Sequence, residues 1–249
     1  MSRFKLLFLL FPLFLLLVSA PVVASEPGWS DYRVLLKRYV KTGVRKGGRV
    51  TWVDYGGIAR DPRWKRVLKR LAKYPLHRLK TRNERLAFHI NAYNILTIKL
   101  IAKNWPLDSI RDLGSIFVPV WKKKAGVVGG KRVSLSDIGQ ARLRPLGDLR
   151  SYFALACGSA SCPDLRRQPY TARRVNRQLD DQARKFLNNR SKGMARKAGR
   201  VRVSKLFSWF EEDFNRFGGV RAFVQRYKKL PDKVTLRADL PYNWSINGG

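Results

Sequence analysis

TRNERLAFHINAYNILTIKLIAKN, residues 81–104, decides the fold. Thr81-Arg82-Asn83-Glu84 is a capping box: the threonine hydroxyl accepts the third backbone N–H while the glutamate reaches back to the cap. The residues that follow are apolar nearly all round, and such a helix must lie inside other elements rather than upon them. Trp105-Pro106 ends the run, because a residue before proline is pushed out of the helical region. Two polar lines cross the helix. His89, Tyr93 and Leu96 share one side; Asn91, Asn94, Ile98 and Ile101 share another, about 200° away at roughly 100° per residue.

Shorter elements surround this centre. SDYRVLLKRYVK (30–41) reads as an amphipathic helix, and VTWVDYGGIA (50–59) alternates before breaking at Gly56-Gly57. Asp61-Pro62 opens a further helix with Trp64, Val67, Leu68 and Leu71 on one stripe. IFVPVWKKKAGVVGGKRVSLSDI predicts two strands joined by a glycine turn, then a short helix capped by Ser136 and running to Leu143. SYFALA predicts a buried strand leading to Cys157. Thr171 is expected to cap a helix that buries Val175, Leu179, Gln182 and Phe186. VRVS is a strand with Ser204 capping the helix after it, and GGVRAFVQRYKK is one more helix. No repeat and no long linker divides the chain. The fold class expected is α+β: a single helix-rich domain with several short strands and a central buried helix.

Residues 1–24 read as a cleavable secretory signal. Arg3 and Lys5 precede an apolar run from Leu6 to Val18, and Val22-Val23-Ala24 gives a small-x-small cleavage site. The remaining 25–249 is expected to be one exported domain, periplasmic or secreted. Charge then limits its partners. The chain has 52 basic and 17 acidic residues; losing Arg3 and Lys5 leaves +33, from 50 against 17. Such a surface draws polyanions and responds to salt. For an exported protein these are anionic lipid head groups, lipopolysaccharide or acidic polysaccharide, and extracellular nucleic acid. The bases are dispersed and no reader motif accompanies them, which argues against nucleic-acid recognition.

FALACGSASCPDL (153–165) holds both cysteines, Cys157 and Cys162. An exported chain with two cysteines five residues apart invites a disulfide, while free buried thiols and a reactive thiol stay open alternatives. A nucleophile would take His89 as its base and an asparagine as its oxyanion donor. A histidine on a buried helix is more often structural, as are Asn91 and Asn94, whose amides must find partners wherever they are buried. Arg166 and Arg167 follow the cysteines closely and are candidate anion-binding cations. Asp180-Asp181 and Glu211-Glu212-Asp213 are expected to form solvated ion pairs. No cofactor motif and no metal-ligand spacing occurs.

LAFHINAYNILTIKLI, SLSDIGQARLR, FALACGSASCPDL, QLDDQARKFLNN, SKLFSWFEEDF and PYNWSIN occur in one order. Together they resemble the domain-of-unknown-function 547 family, over roughly residues 75–247. The resemblance implies a domain of exported bacterial proteins, also joined to leucine-zipper segments in plants, with no assigned reaction. Members commonly carry Glu-His where this chain has Gly139-Gln140, and histidine where it has Tyr152. Their closing motif has aspartate where Asn243 stands, whereas Cys157, Cys162, Asn91 and Asn94 are kept. The function expected is therefore a binding or accessory protein of the cell envelope that recognises an anionic partner. The alternative is a cysteine-dependent hydrolase or acyl transferase, Cys157 or Cys162 acting with His89 and an asparagine, degenerate in this member.

Overall fold

The structure, a computed structural model, describes residues 27–45, 48–115, 117–197 and 199–249. The expected signal segment, 1–24, lies outside the described residues. Helices and small sheets mix throughout, an α+β architecture. No described helix is long and apolar enough to cross a membrane.

The chain opens with α1 (Ser30–Tyr39), which runs into the antiparallel hairpin β1 (Val40–Arg45) and β2 (Gly48–Val53). Asp54 then accepts the Gly57 N–H at 2.6 Å and starts α2 (Tyr55–Arg60). Gly56-Gly57 was expected to break the chain but lies inside this helix. A side chain on Gly57 would fall 2.5 Å from the Tyr39 ring, so glycine is required by close packing rather than by a turn. Asp61 caps α3 (Pro62–Lys73), which buries Trp64, Val67 and Leu71 of the expected stripe and leaves Leu68 half-buried.

The central helix is α4 (Arg82–Lys103), opened by the full capping box. Glu84 N–H donates to Thr81 Oγ1 (3.2 Å), and Thr81 N–H to Glu84 Oε2 (2.8 Å). The hairpin β3 (Lys124–Val128) and β4 (Lys131–Ser134) packs against α4. Ser134, not Ser136, caps α5 (Leu135–Ile138): it ends the strand in the extended backbone an N-cap needs, and Asp137 completes the box. A π-helical turn follows at Gly139–Leu143.

The strand expected at SYFALA is instead the 3-10 turn Leu149–Phe153, capped by Asp148. Among the described residues no neighbouring strand serves this backbone; a side chain of α4 bonds the residues just after it. Likewise α6 (Val175–Asn188) begins four residues beyond Thr171. The Gln178 amide ties down the approach, donating to Pro169 O (2.9 Å) and accepting from Thr171 N–H (3.0 Å).

The last sheet has order β5 (Met194–Lys197), β6 (Arg200–Ser204) and β7 (Thr235–Leu240). Its β6–β7 pair is parallel, and the crossover carries α7 (Leu206–Trp209), α8 (Glu211–Asn215) and α9 (Gly219–Gln225).

Two apolar cores result. One surrounds α4. The other gathers Phe153, Phe186, Phe207, Phe214 and Phe223 under the last sheet. The helix α6 serves both, giving Val175 and Leu179 to the first and Ala183, Phe186 and Leu187 to the second. The final residues cross back over the first unit. Asn247 N–H donates to Gly158 O (2.8 Å), Ile246 N–H to Asp108 O (2.7 Å), and Val53 N–H to Asn247 O (2.9 Å).

Candidate functional site

A cleft of about 650 Å³ opens between the two cores. From the first core come Tyr93 of α4, Leu135 and Ser136 of α5, and Gly139 and Gln140 of the π-helical turn. The second core supplies Leu206 and Trp209 of α7, with Phe210 behind them. The crossing tail adds Tyr242 and Trp244, and the segment before β3 adds Trp121. Seven aromatic rings therefore face one space.

The rings form two groups. Trp209 stacks on Trp244 with centroids 5.5 Å apart, and Tyr242 lies 4.8 Å from Trp209 and 4.5 Å from Trp244. Trp121 extends this wall at 6.4 Å from Trp244. In the second group Tyr152 stacks on Phe210 at 4.1 Å. The Tyr152 hydroxyl donates to Asp213, which also holds Arg144 at 2.9 Å. Asp213 was expected to be solvated. It is buried, because orienting Tyr152 and Arg144 requires its carboxylate beneath the aromatic layer.

The cysteines form the floor. Cys157 and Cys162 are paired as a disulfide, Sγ–Sγ 2.21 Å, and both line the cleft. Gly158 between them has φ +84°, and a side chain there would strike Ile101 of α4 at 2.3 Å. Only glycine lets the loop sit so close to the central helix. Ser159 Oγ donates to the Tyr242 hydroxyl (3.2 Å) and lies 3.3 Å from Cys157 Sγ. Burial pushes the Tyr242 hydroxyl up to about 12, so it remains a neutral phenol at physiological pH.

Arg111 and Lys122 also line the cleft. The Arg111 guanidinium lies over the Trp244 ring, 5.2 Å from its centroid. Lys123 and Lys124 are engaged elsewhere, by Leu113 O (2.9 Å) and Asp137 (3.1 Å). No aspartate, glutamate or histidine lines the cleft among the described residues.

The other residues singled out in the sequence stand apart. Asn94 donates to Ala154 O (3.0 Å) and accepts from Ala156 N–H (2.9 Å), clasping the strand of chain that leads to Cys157. Asn91 makes the same paired contact with Tyr170, at 2.8 and 2.9 Å. Both amides are thus spent on backbone and neither lines the cleft. Arg166 is held by Asp181 and Gln182 over the Tyr170 ring, and Arg167 reaches Lys37 O at 2.9 Å.

His89 is buried outside the cleft with its Nδ1 unpartnered. Burial, reinforced by Arg142 and Arg85, lowers its pKa from 6.5 to about 4. The native ring thus stays neutral while the unfolded chain takes up a proton. Its contribution to stability is complete above pH 6.5 and is lost as pH falls toward 4, by about 3 kcal/mol. Urea unfolding at pH 7 and pH 4.5 should show this extra slope in the wild type, and His89→Gln should remove it. Equal slopes would contradict the buried neutral ring.

Trp121, Trp209, Tyr242, Trp244, Arg111 and Lys122 escaped the sequence reading. For Trp209, Tyr242 and Trp244 the signal lay in the aromatic motifs SKLFSWF and PYNWSIN; Trp121, Arg111 and Lys122 gave none.

The fold and site define an α+β domain with two cores framing an aromatic cleft over a disulfide. Residues 76–187 match the model of the family described as "Protein of unknown function, DUF547". The match takes in α4, the cysteine loop and most of α6, but ends before Trp209, Tyr242 and Trp244. No curated protein and no solved structure matches the chain. Gly139, Gln140 and Tyr152, where the resemblance led to an expectation of Glu, His and His, line the cleft, and Asn243 sits between lining residues Tyr242 and Trp244.

Proposed function

We propose that this chain is an exported binding or accessory protein of the cell envelope, and that its cleft holds an anionic partner. The observation that carries this reading is the lining: aromatic walls, the cations Arg111 and Lys122, and no carboxylate. Both cations are exposed, so they draw an anion to the mouth of the cleft by an attraction that salt screens. The departures at Gly139, Gln140 and Tyr152 support binding over catalysis, since they leave the cleft without a titratable carboxylate or imidazole. The exposed Phe117 and Val118 precede Lys122, Lys123 and Lys124 in sequence and give the protein an apolar, basic approach to an envelope surface.

One observation favours a second reading: both residues of the cysteine pair line the cleft. A cysteine hydrolase or acyl transferase would require that pair to be reduced, and the cleft lining offers the thiol no base. Thiol-probe labelling of native protein, lost on Cys157→Ser, would favour it.

The test of the preferred reading is retention on anionic vesicles or lipopolysaccharide. Wild-type protein should be retained at about 0.01 M salt and released at several tenths molar, where screening is short-ranged. The double variant Arg111→Gln, Lys122→Gln should be released at lower salt. No retention at low salt, or identical release of both proteins, would overturn the proposal.

A further inference from the structure

We infer that the cleft binds a short acidic saccharide, one or two hexuronate-type units, rather than a bare phosphate group or an acyl chain. This rests on the reading of the cleft as an anion site and names the ligand class. The volume, about 650 Å³, suits a small ligand, since pockets of this kind span roughly 300–1,000 Å³.

The lining chemistry selects among small anions. A bare phosphate would use the two cations and leave the aromatic wall exposed to water. An acyl chain would call for an aliphatic tunnel, and Leu135, Leu155 and Leu206 are too few for one. A pyranose meets both demands. Its C–H face packs flat on a ring, while its hydroxyls point outward to polar groups. Trp209 stacks on Trp244, inclined by 25° and 5.5 Å apart, and being 46% exposed it offers its free surface to such a face. Their indole N–H groups and the Tyr93 hydroxyl are donors for sugar oxygens.

The acid requirement comes from the cations. A uronate carboxylate projects from the edge of the sugar ring, and Arg111 is held beside the aromatic wall by its contact over the Trp244 ring. Among the described residues neither Arg111 nor Lys122 pairs with a carboxylate. Two cations match two carboxylates, so at most two acidic units are held at once, and a trimer is long enough to supply them.

The experiment is titration by tryptophan fluorescence and calorimetry with four probes. These are trigalacturonate, the matching neutral trisaccharide, inorganic phosphate and anionic phospholipid vesicles. Trigalacturonate should bind in a salt-sensitive manner and the neutral trisaccharide about tenfold or more weaker. Trp209 is 46% exposed, so its truncation spares the core; Trp209→Ala should weaken trigalacturonate about tenfold or more, and Trp209→Phe less. Arg111→Gln should erase the preference for the acidic trimer. Equal binding of the acidic and neutral trimers overturns the inference. Vesicle or phosphate binding that depends on Trp209, without trigalacturonate binding, also overturns the saccharide class but leaves the anion cleft standing. No Trp209-dependent binding by any probe overturns both.

Discussion

Asn94→Ala should destabilise the protein by about 3–5 kcal/mol. The substitution leaves the Ala154 carbonyl and the Ala156 N–H without their partner, and both are buried against α4. A buried backbone group stripped of its hydrogen bond costs about 1–3 kcal/mol, and the vacated volume adds to this. For a chain of this size the loss corresponds to roughly 10 °C in Tm. Urea unfolding monitored by tryptophan fluorescence would measure it. A loss below about 1 kcal/mol would mean that water or backbone movement replaces the clasp. Because the clasped residues lead directly to Cys157, the variant should also weaken whatever the cleft holds. Asn94→Asp is the informative companion. It keeps an acceptor for the Ala156 N–H but offers the Ala154 carbonyl an anion in place of a donor.

Phe153→Ala should cost a similar amount, about 3–5 kcal/mol, the range for removing a buried phenylalanine. Its ring is fully buried and lies 5.2 Å from Phe186 and Phe223 and 5.4 Å from Phe207. The variant also probes cooperativity. Phe153 belongs to the second core and Ala154 to the first, while α6 serves both. If the two cores unfold together, calorimetry should show one transition moved to lower temperature. A split into two transitions, with only the later half of the chain affected, would show that the cores fold independently.

What could be read from residues alone follows how far each physical rule reaches. The Thr81–Glu84 box and the apolar run after it act within one helical turn of their own positions, so α4 was legible to its ends. The stripe Trp64, Val67, Leu71 was legible for the same reason. Ser136 was preferred to Ser134 because the cap depends on where β4 stops, which is set by pairing with β3. SYFALA resembled a strand by composition, yet its neighbour in space is an asparagine side chain rather than another strand. Propensity yields there to the partner that is actually present.

The sequence by itself determined an α+β domain built on one buried, capped helix, and a cysteine pair spaced for a local loop. Capping, periodicity and short loops are encoded within a few residues. The tertiary structure alone decided the cleft. Tyr93, Trp121, Trp209 and Trp244 come from distant segments with no shared spacing, and they meet because two cores and a returning tail pack around the disulfide. It also decided that Asn91 and Asn94 serve the backbone: a buried amide must be satisfied, and the nearest unpaired groups were those of the loops packed upon α4.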